Sequence, residues 1–384
     1  MNKIILLLLS FITLSSVSQS TIKDTLTMNK NAAKRSITIS LPASYEKDKT
    51  KTYPLLVVLD GDYLLAPFEG VLRYGNYWDD LPEMVIVGID QNTNDERFDD
   101  SETDENGLPK GKGADFFEFV GSKLINYINS KYRINNFKII AGQDVTAGYL
   151  NFYLYKDKPV FNAYIALSPE FAEGMEPRLI DRFQAIKENI FYYQAVADGD
   201  IKTIKEKTQL FDTAVKQITV PTLNYKYDEI KETSHYSMVL QAIPNALYHF
   251  FESYQPITTN EFQNKIVILK EGYVDYLRKR YTKTENTLGY KMKIRFNDFK
   301  AIYNAIMKNQ AYNELEELAQ EANKDYPKTM LGDFYLASYY EQKGDLKRAS
   351  KTYLNAFPKA PIGDIDKDKM INKSDELRAK MDKQ

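Results

Sequence analysis

The sequence predicts an α/β protein: a doubly wound, mostly parallel sheet followed by a small all-α domain. Three observations carry this. Short apolar runs alternate with helical periodicity from Arg35 to about Tyr254. Several of those runs are continuously apolar, which suits strands buried on both faces. After Pro256 the chain turns helical and charged. With 384 residues, 43% of them hydrophobic, there is material for one large domain, a small one and a sizeable core.

The N-terminus reads as a secretory signal over residues 1–20. Lys3 supplies the positive start and Ile4 to Leu9 an apolar run, continued by Phe11, Ile12 and Leu14. Ser15, Ser16, Ser18 and Ser20 follow, so cleavage after Ser18 or Ser20 fits. The run is shorter than the ~20 residues a membrane span needs, which favours a cleaved signal over an uncleaved anchor. No further hydrophobic span follows. The mature protein is expected in the periplasm or outside the cell. There is no cysteine, so disulfides, an N-terminal lipid anchor, thiolate metal sites and cysteine nucleophiles are excluded. The net charge of −2 gives no reason to expect nucleic acid or an anionic membrane as partner. No residue pattern calls for a cofactor. The 29 Tyr and 20 Phe are spread along the chain, as in a core and a surface groove rather than a base-stacking platform.

The elements follow in order. Arg35 to Pro42 alternates with period two and reads as an antiparallel edge strand. Leu55 to Gly61 and Met84 to Ile89 suit central parallel strands. Phe116 to Tyr132 carries Phe116, Phe119, Val120, Leu124, Tyr127 and Ile128 at helical spacing. Lys138 to Ala141, Ala163 to Ser168 and Phe191 to Val196 are further buried strands. Asn92 to Gly113 is long, acidic and glycine-containing, and loops of this length are often functional. It lacks the spacing of an EF-hand calcium site and reads as a solvated loop beside the site. Residues 21–255 form the expected α/β domain, 256–295 a connecting helical segment and 296–384 a helical domain. Within the last, Leu331 to Pro361 matches the tetratricopeptide pattern through Leu336, Ala337, Tyr340, Gly344, Ala349, Tyr353, Ala356 and Pro361. Asp333 departs from it. Asp298 to Pro327 is a degenerate pair of the same kind. So few repeats must pack on the α/β domain or on a protein partner.

The segment Phe137 to Gly148 carries the chemistry. A short apolar strand runs into Gly142, a tight turn follows and a helix begins. α/β-Hydrolases lift a serine nucleophile on such an elbow, in the pattern Gly-x-Ser-x-Gly. Here it reads Gly142-Gln143-Asp144-Val145-Thr146. The serine is replaced by Asp144, and the second glycine by Thr146.

Together with Arg35 to Tyr45, Tyr53 to Gly61, Val87-Gly88-Ile89, Arg97, Ala166 to Pro169 and Ser234 to Ser237, the chain resembles the esterase D (enterochelin-esterase-like) family of α/β-hydrolases, in the version with C-terminal tetratricopeptide repeats. The resemblance runs from about Ile22 to the end. It implies Asp144 at the nucleophile position, His235 as general base and Asp200 as the acid after the sixth predicted strand, with Asp198 as fallback. It implies an oxyanion hole from the backbone N–H of Val145 and one from the Gly61-Asp62-Tyr63 loop, with a small ester or carbonyl compound as ligand. Siderophore esters, acylated sugars and short acyl esters are the classes it suggests. His249 reads as structural.

Three readings of Asp144 follow. Aspartate nucleophiles open epoxides or displace halides, but those sites need Trp or Tyr clamps from a cap, and this chain has one Trp, Trp78, and no clear cap insertion. Ester hydrolysis through Asp144 meets a chemical objection: a carboxylate leaves the tetrahedral intermediate more readily than an alkoxide, so the intermediate collapses backwards. An imidazole between Asp144 and Asp200 would also stay protonated and be a poor base. Thr146 could serve instead if the elbow shifted by two residues, since Asp144-Val145-Thr146-Ala147-Gly148 also ends in glycine. The third reading is a pseudoenzyme, with Asp144 as helix N-cap paired to His235, and with function moved to ligand binding in the cleft or partner binding through the repeats. The chemistry favours the third.

Overall fold

A computed structural model describes residues 20–28, 33–93 and 96–382. The expected signal peptide lies outside the described residues, apart from Ser20. Eight strands form one sheet: β1 (Ser20–Thr27), β2 (Lys34–Leu41), β3 (Tyr53–Val58), β4 (Val85–Ile89), β5 (Ile134–Gln143), β6 (Ala163–Leu167), β7 (Ile190–Gly199) and β8 (Leu223–Ser234). Their order is β1-β2-β4-β3-β5-β6-β7-β8. Neighbours from β4 and β3 across to β8 run parallel, while β1 and β2 join antiparallel.

Every residue of β3, β4 and β6 is buried, which explains their continuous apolar runs. Helices cover both faces: α1 (Gly61–Tyr77), α2 (Glu96–Asp99), α3 (Gly111–Glu118), α4 (Ile125–Lys131), α5 (Val145–Tyr149), α6 (Met175–Ala185), α7 (Lys202–Val215) and α8 (Val239–Phe250). α1 and α8 pack on one face through Leu64, Phe68, Ala242 and Phe250. Residues of α3 to α7, among them Phe116, Ile128, Ala147, Phe183 and Phe211, pack on the other. Within β3 the two faces alternate, Leu56 and Val58 joining the first core and Leu55 and Val57 the second.

Three expectations change. Arg35 to Pro42 is not an edge: β2 is covered on its outer side by β1. β1 escapes notice because its side chains are mostly exposed and its pattern is weak. β8 also escapes, because a half-exposed edge strand such as Leu-Asn-Tyr-Lys-Tyr-Asp-Glu needs no apolar run. The helix expected over Phe116 to Tyr132 forms as α3 and α4 joined by a π-helical turn, Phe119–Leu124.

The C-terminal region contains α9 (Thr259–Glu261), α10 (Tyr273–Leu288), α11 (Phe296–Lys308), α12 (Leu315–Asp325), α13 (Leu331–Gln342), α14 (Leu346–Asn355) and α15 (Lys367–Met381). A third core runs from Tyr273 and Leu277 through Phe299, Leu318, Tyr335 and Tyr353 to Leu377. Residues 256–295 pack on two cores: Tyr273, Leu277 and Tyr281 on the helical one, and Leu288 on that of α1 and α8. Buried Arg280 fixes the junction, donating to Glu261 and to the carbonyls of Ser253 and Gln255. Arg295 ties the helical region to the α/β part through Asp79 and the Tyr254 carbonyl. Among the described residues no helix is long and apolar enough to cross a membrane.

Candidate active site

β5 lies at the centre of the sheet, and ligand crevices in such sheets form at the carboxyl ends of the strands. At that end the chain turns at Asp144 into α5, with φ 58° and ψ −122°. A non-glycine residue in this strained region is held by its surroundings. The Asp144 amide donates to the Leu167 carbonyl at 2.9 Å, and its carbonyl accepts from Gly148 and Glu170 at 3.0 Å each. Gly142 is needed for the same turn, since a Cβ there would stand 2.8 Å from the Thr146 hydroxyl and 2.9 Å from its carbonyl carbon. The backbone is that of a nucleophile elbow, and Asp144 occupies its tip.

The Thr146 hydroxyl is engaged away from His235. It is buried, donates to Asp60 at 2.5 Å, accepts from the Gln143 amide at 3.0 Å and lies 2.9 Å from the Gln143 carbonyl. Its hydroxyl points into this network and is not paired with His235. The shifted register is corrected accordingly: Gly142 and the backbone at Asp144 place the elbow two residues earlier.

The expected N-cap role of Asp144 is also corrected, because its carboxylate makes no capping hydrogen bond to α5. The cation paired with it is Arg97, at 3.3 Å, rather than His235. Arg97 comes from α2 in the acidic loop. It donates at 2.8 Å to Asp60 and at 2.7 Å to the Gln143 carbonyl. Asp60 is wholly buried. Burial raises its carboxyl above the ordinary carboxylate value, against the pull of Arg97 and Thr146. α2 is itself anchored, because buried Arg35 pairs with Asp100 and Glu96 while Gln91 also donates to Asp100. Several carboxylates of this loop are thus engaged within it: Asp99 pairs with Lys112, and Asp104 accepts from the Asn106 and Leu108 amides. No group of three metal-ligating side chains that could hold an ion occurs among the described residues. Asp95 lies outside them.

His235 and Asp200 are brought together. His235 sits in the turn after β8, and its Nδ1 lies 2.7 Å from Asp200. The carboxylate partner favours the tautomer with the proton on Nδ1. Asp200 follows β7, the sixth of the strands expected from sequence. Burial pushes its carboxyl up, but hydrogen bonds with His235, the Ala197 amide and Ser168 outweigh this and hold it below its ordinary value. The same bond is the main cause that raises His235 above the usual imidazole value, opposed by burial and helped by the charges of Asp200 and Asp144. Asp198, the fallback acid, is engaged elsewhere, accepting from the amides of Glu232 and Thr233.

Ser168 completes the pair. It is buried at φ 51°, donates to Asp200 at 2.7 Å and lies 3.0 Å from His235 Nδ1. Gln143 reaches across to the His235 carbonyl at 3.1 Å and ties this side to the elbow.

The expected oxyanion donors stand at two helix starts, Val145 at the head of α5 and Gly61 and Asp62 at the head of α1, where first-turn N–H groups have no intrahelical acceptor. β3 and β5 are adjacent, so the two starts are neighbours. Gly61 is glycine because a Cβ would meet the backbone of Gly88 and Ile89 at 2.7 Å. The Asp62 carboxylate holds the loop after β4 through the Gln91 and Asn92 amides. Trp78 is remote, at the far end of α1. His249 lies in α8, where burial lowers its imidazole.

Sequence reasoning named Asp60, Arg97 and Ser168 without giving them a place in the site. Their signal was position: polar residues closing an apolar strand, and one arginine inside an acidic loop.

The family model described as "Putative esterase" matches residues 29–172, which contain Asp60, Arg97 and Asp144. An uncharacterised protein from Capnocytophaga ochracea DSM 7271 is similar at 30% identity over 94% of this chain and 100% of its own, with a TM-score of 0.83. An IroE-like serine hydrolase from Shewanella oneidensis shares the fold at 18% identity, over 79% of this chain and 98% of its own, with a TM-score of 0.58. The BES protein from Bacillus cereus does so at 18% identity, over 60% and 95%, with a TM-score of 0.52. No curated protein matches this sequence.

Proposed function

We propose that this chain, which has an esterase-like α/β-hydrolase fold, is a catalytically impaired, exported member of the esterase family that binds a small ligand in the retained cleft and a protein partner through its tetratricopeptide-like helices. One observation carries this reading: the elbow presents a carboxylate, and the nearest hydroxyl in its sequence, that of Thr146, is committed to Asp60. A serine nucleophile needs a base that removes its proton. Here the elbow presents a carboxylate instead of a hydroxyl, and a carboxylate at this position repels the oxyanion that the two helix starts would stabilise.

A second reading is favoured by the intact His235–Asp200 pair, 2.7 Å apart. Asp144 would attack the acyl carbon of an ester and form an acyl-aspartate anhydride, the alcohol leaving with a proton from the His235 imidazolium, and neutral His235 would then activate the water that hydrolyses the anhydride.

Hydrolysis of a short-chain nitrophenyl ester by the purified protein, beside His235→Ala and Asp144→Ser variants, separates the two. An inactive parent whose Asp144→Ser variant gains activity supports impairment. Parent activity that vanishes in His235→Ala overturns it. Transfer of heavy oxygen from water into Asp144 during a single turnover would identify the carboxylate as the nucleophile.

A further inference from the structure

Four neighbouring parallel strands each begin at or beside an asparagine. Asn136 lies near the start of β5, Asn162 directly precedes β6, Asn189 directly precedes β7 and Asn224 is near the start of β8. These strands are adjacent, so the four asparagines come to one edge of the sheet. It is the edge at the amino ends of the strands, opposite the one that carries Asp144. A cavity of about 950 Å³ opens there, lined by these four and by Asn286 of α10. That volume falls within the ~300–1,000 Å³ that ligand pockets span.

Turn chemistry accounts for one of the five. Asparagine serves turns by adopting positive φ or by bonding nearby backbone groups with its own side chain. None of the five has positive φ. Asn162 accepts from the Lys138 amide at 2.9 Å. The side chains of Asn136, Asn189, Asn224 and Asn286 make no hydrogen bond among the described residues. Asparagine is also poor strand material, so β5 and β8 gain nothing from carrying it.

The charges that line the cavity are mostly neutralised by the fold itself. Asp275 pairs with Lys279 at 2.7 Å, and Arg278 pairs with Glu317 and Glu321. Lys283 is the lining cation without an ion pair among the described residues, which is too little for a polyanion. The apolar lining is mostly out of reach. Phe137, Ile190 and Phe191 are 4%, 3% and 8% exposed, so little surface is left to receive the side chains of a peptide. Tyr225 also lines the cavity, and its hydroxyl is held by Asp212 at 3.0 Å, which leaves its ring as the part on offer.

We propose that this cavity binds an uncharged saccharide, read by the carboxamides of Asn136, Asn189, Asn224 and Asn286. A carboxamide carries two N–H donors and an acceptor oxygen. A sugar hydroxyl both donates and accepts, so it complements either end of that group. Unpartnered carboxamides gathered in one cavity, without a cluster of free charge, match a ligand built of neutral hydroxyls. The site joins the two parts of the chain, because α10 supplies Asn286, and it is independent of the chemistry at Asp144.

An array of immobilised neutral, carboxylated and sulfated oligosaccharides, beside an array of peptides, tests it, followed by calorimetry with the neutral oligosaccharide that is bound most strongly. Neutral oligosaccharides should retain the protein. Asn224→Ala and Asn286→Ala should each weaken the affinity about two- to tenfold, the scale of one neutral hydrogen bond. Asn286 is exposed and Asn224 partly so, and Asn189→Ala takes the place of either variant that does not fold. Retention by no neutral oligosaccharide, by charged ones alone or by peptides alone overturns the proposal. So does an unchanged affinity in both variants. Ester hydrolysis by the parent overturns the pseudoesterase reading and leaves this inference standing, since the two sites lie at opposite ends of the strands.

Discussion

The two halves of the candidate site differ in what they retain. In the elbow half the backbone turns at Asp144 with φ 58°, the position that the proposed reading assigns to a nucleophile. The histidine half keeps its side chains, with Asp200, Ser168 and His235 joined by bonds of 2.7 to 3.0 Å. The difference teaches that the two halves answer to different forces. The elbow conformation is imposed by close backbone approach at Gly142 and by hydrogen bonds to Leu167 and Glu170, none of which involves the side chain at its tip. The histidine pair is a buried, charge-assisted network that joins the ends of β6, β7 and β8. It therefore has a structural reason to persist whether or not a reaction takes place.

The largest test of this comparison is chemical. Asp144→Ser should restore nitrophenyl ester hydrolysis by about 10²-fold or more over the parent, because the rest of the triad geometry is already built. Adding His235→Ala should remove the gain. If Asp144→Ser stays inert, the histidine half is structural only and the scaffold has lost more than one residue. Next in size, Arg97→Met should destabilise the protein by about 3 kcal/mol in denaturant unfolding, since removing one partner strands the buried Asp60 carboxylate. A cost below about 1 kcal/mol would mean that Thr146 and water satisfy Asp60 without it. Asp200→Asn should cost about 2 kcal/mol, the scale of a charge-assisted hydrogen bond lost from a buried network. No loss would remove the structural account of the histidine half.

The smallest effect is the pH dependence. The folded imidazole of His235 is raised above its ordinary 6.5, chiefly by Asp200. Its contribution to stability is fully present below the unfolded value and is lost as pH rises through the higher folded one. A midpoint above 6.5 in an imidazole NMR titration, falling in Asp200→Asn, would agree. A midpoint at or below 6.5 in the parent would contradict the pairing.

Much of this was legible in the chain. Five apolar runs announced five of the eight strands, because central parallel strands are buried on both faces and say so in composition, and period-two alternation announced β2. The elbow was legible because a glycine between an apolar strand and a helix start is a local signal. His235 stood out as one of two histidines. The edges were not legible, since β1 and β8 are half in solvent and carry no such run. Nor was the direction of the Thr146 hydroxyl, whose partner Asp60 is 86 residues away in sequence.

The sequence by itself determined the α/β class, the turn at Asp144 and the absence of a serine there, while the histidine and its acid were named by family resemblance. The first three follow from local periodicity, backbone demands and residue identity. The tertiary structure alone decided the partners: Arg97 rather than His235 beside Asp144, Asp200 rather than Asp198 beside His235, and Thr146 turned toward Asp60. The physical reason is that charges and hydrogen bonds act over a few ångströms of space. Which groups come that close is set by the order of the strands, β4-β3-β5-β6-β7-β8, and no stretch of the chain contains that order.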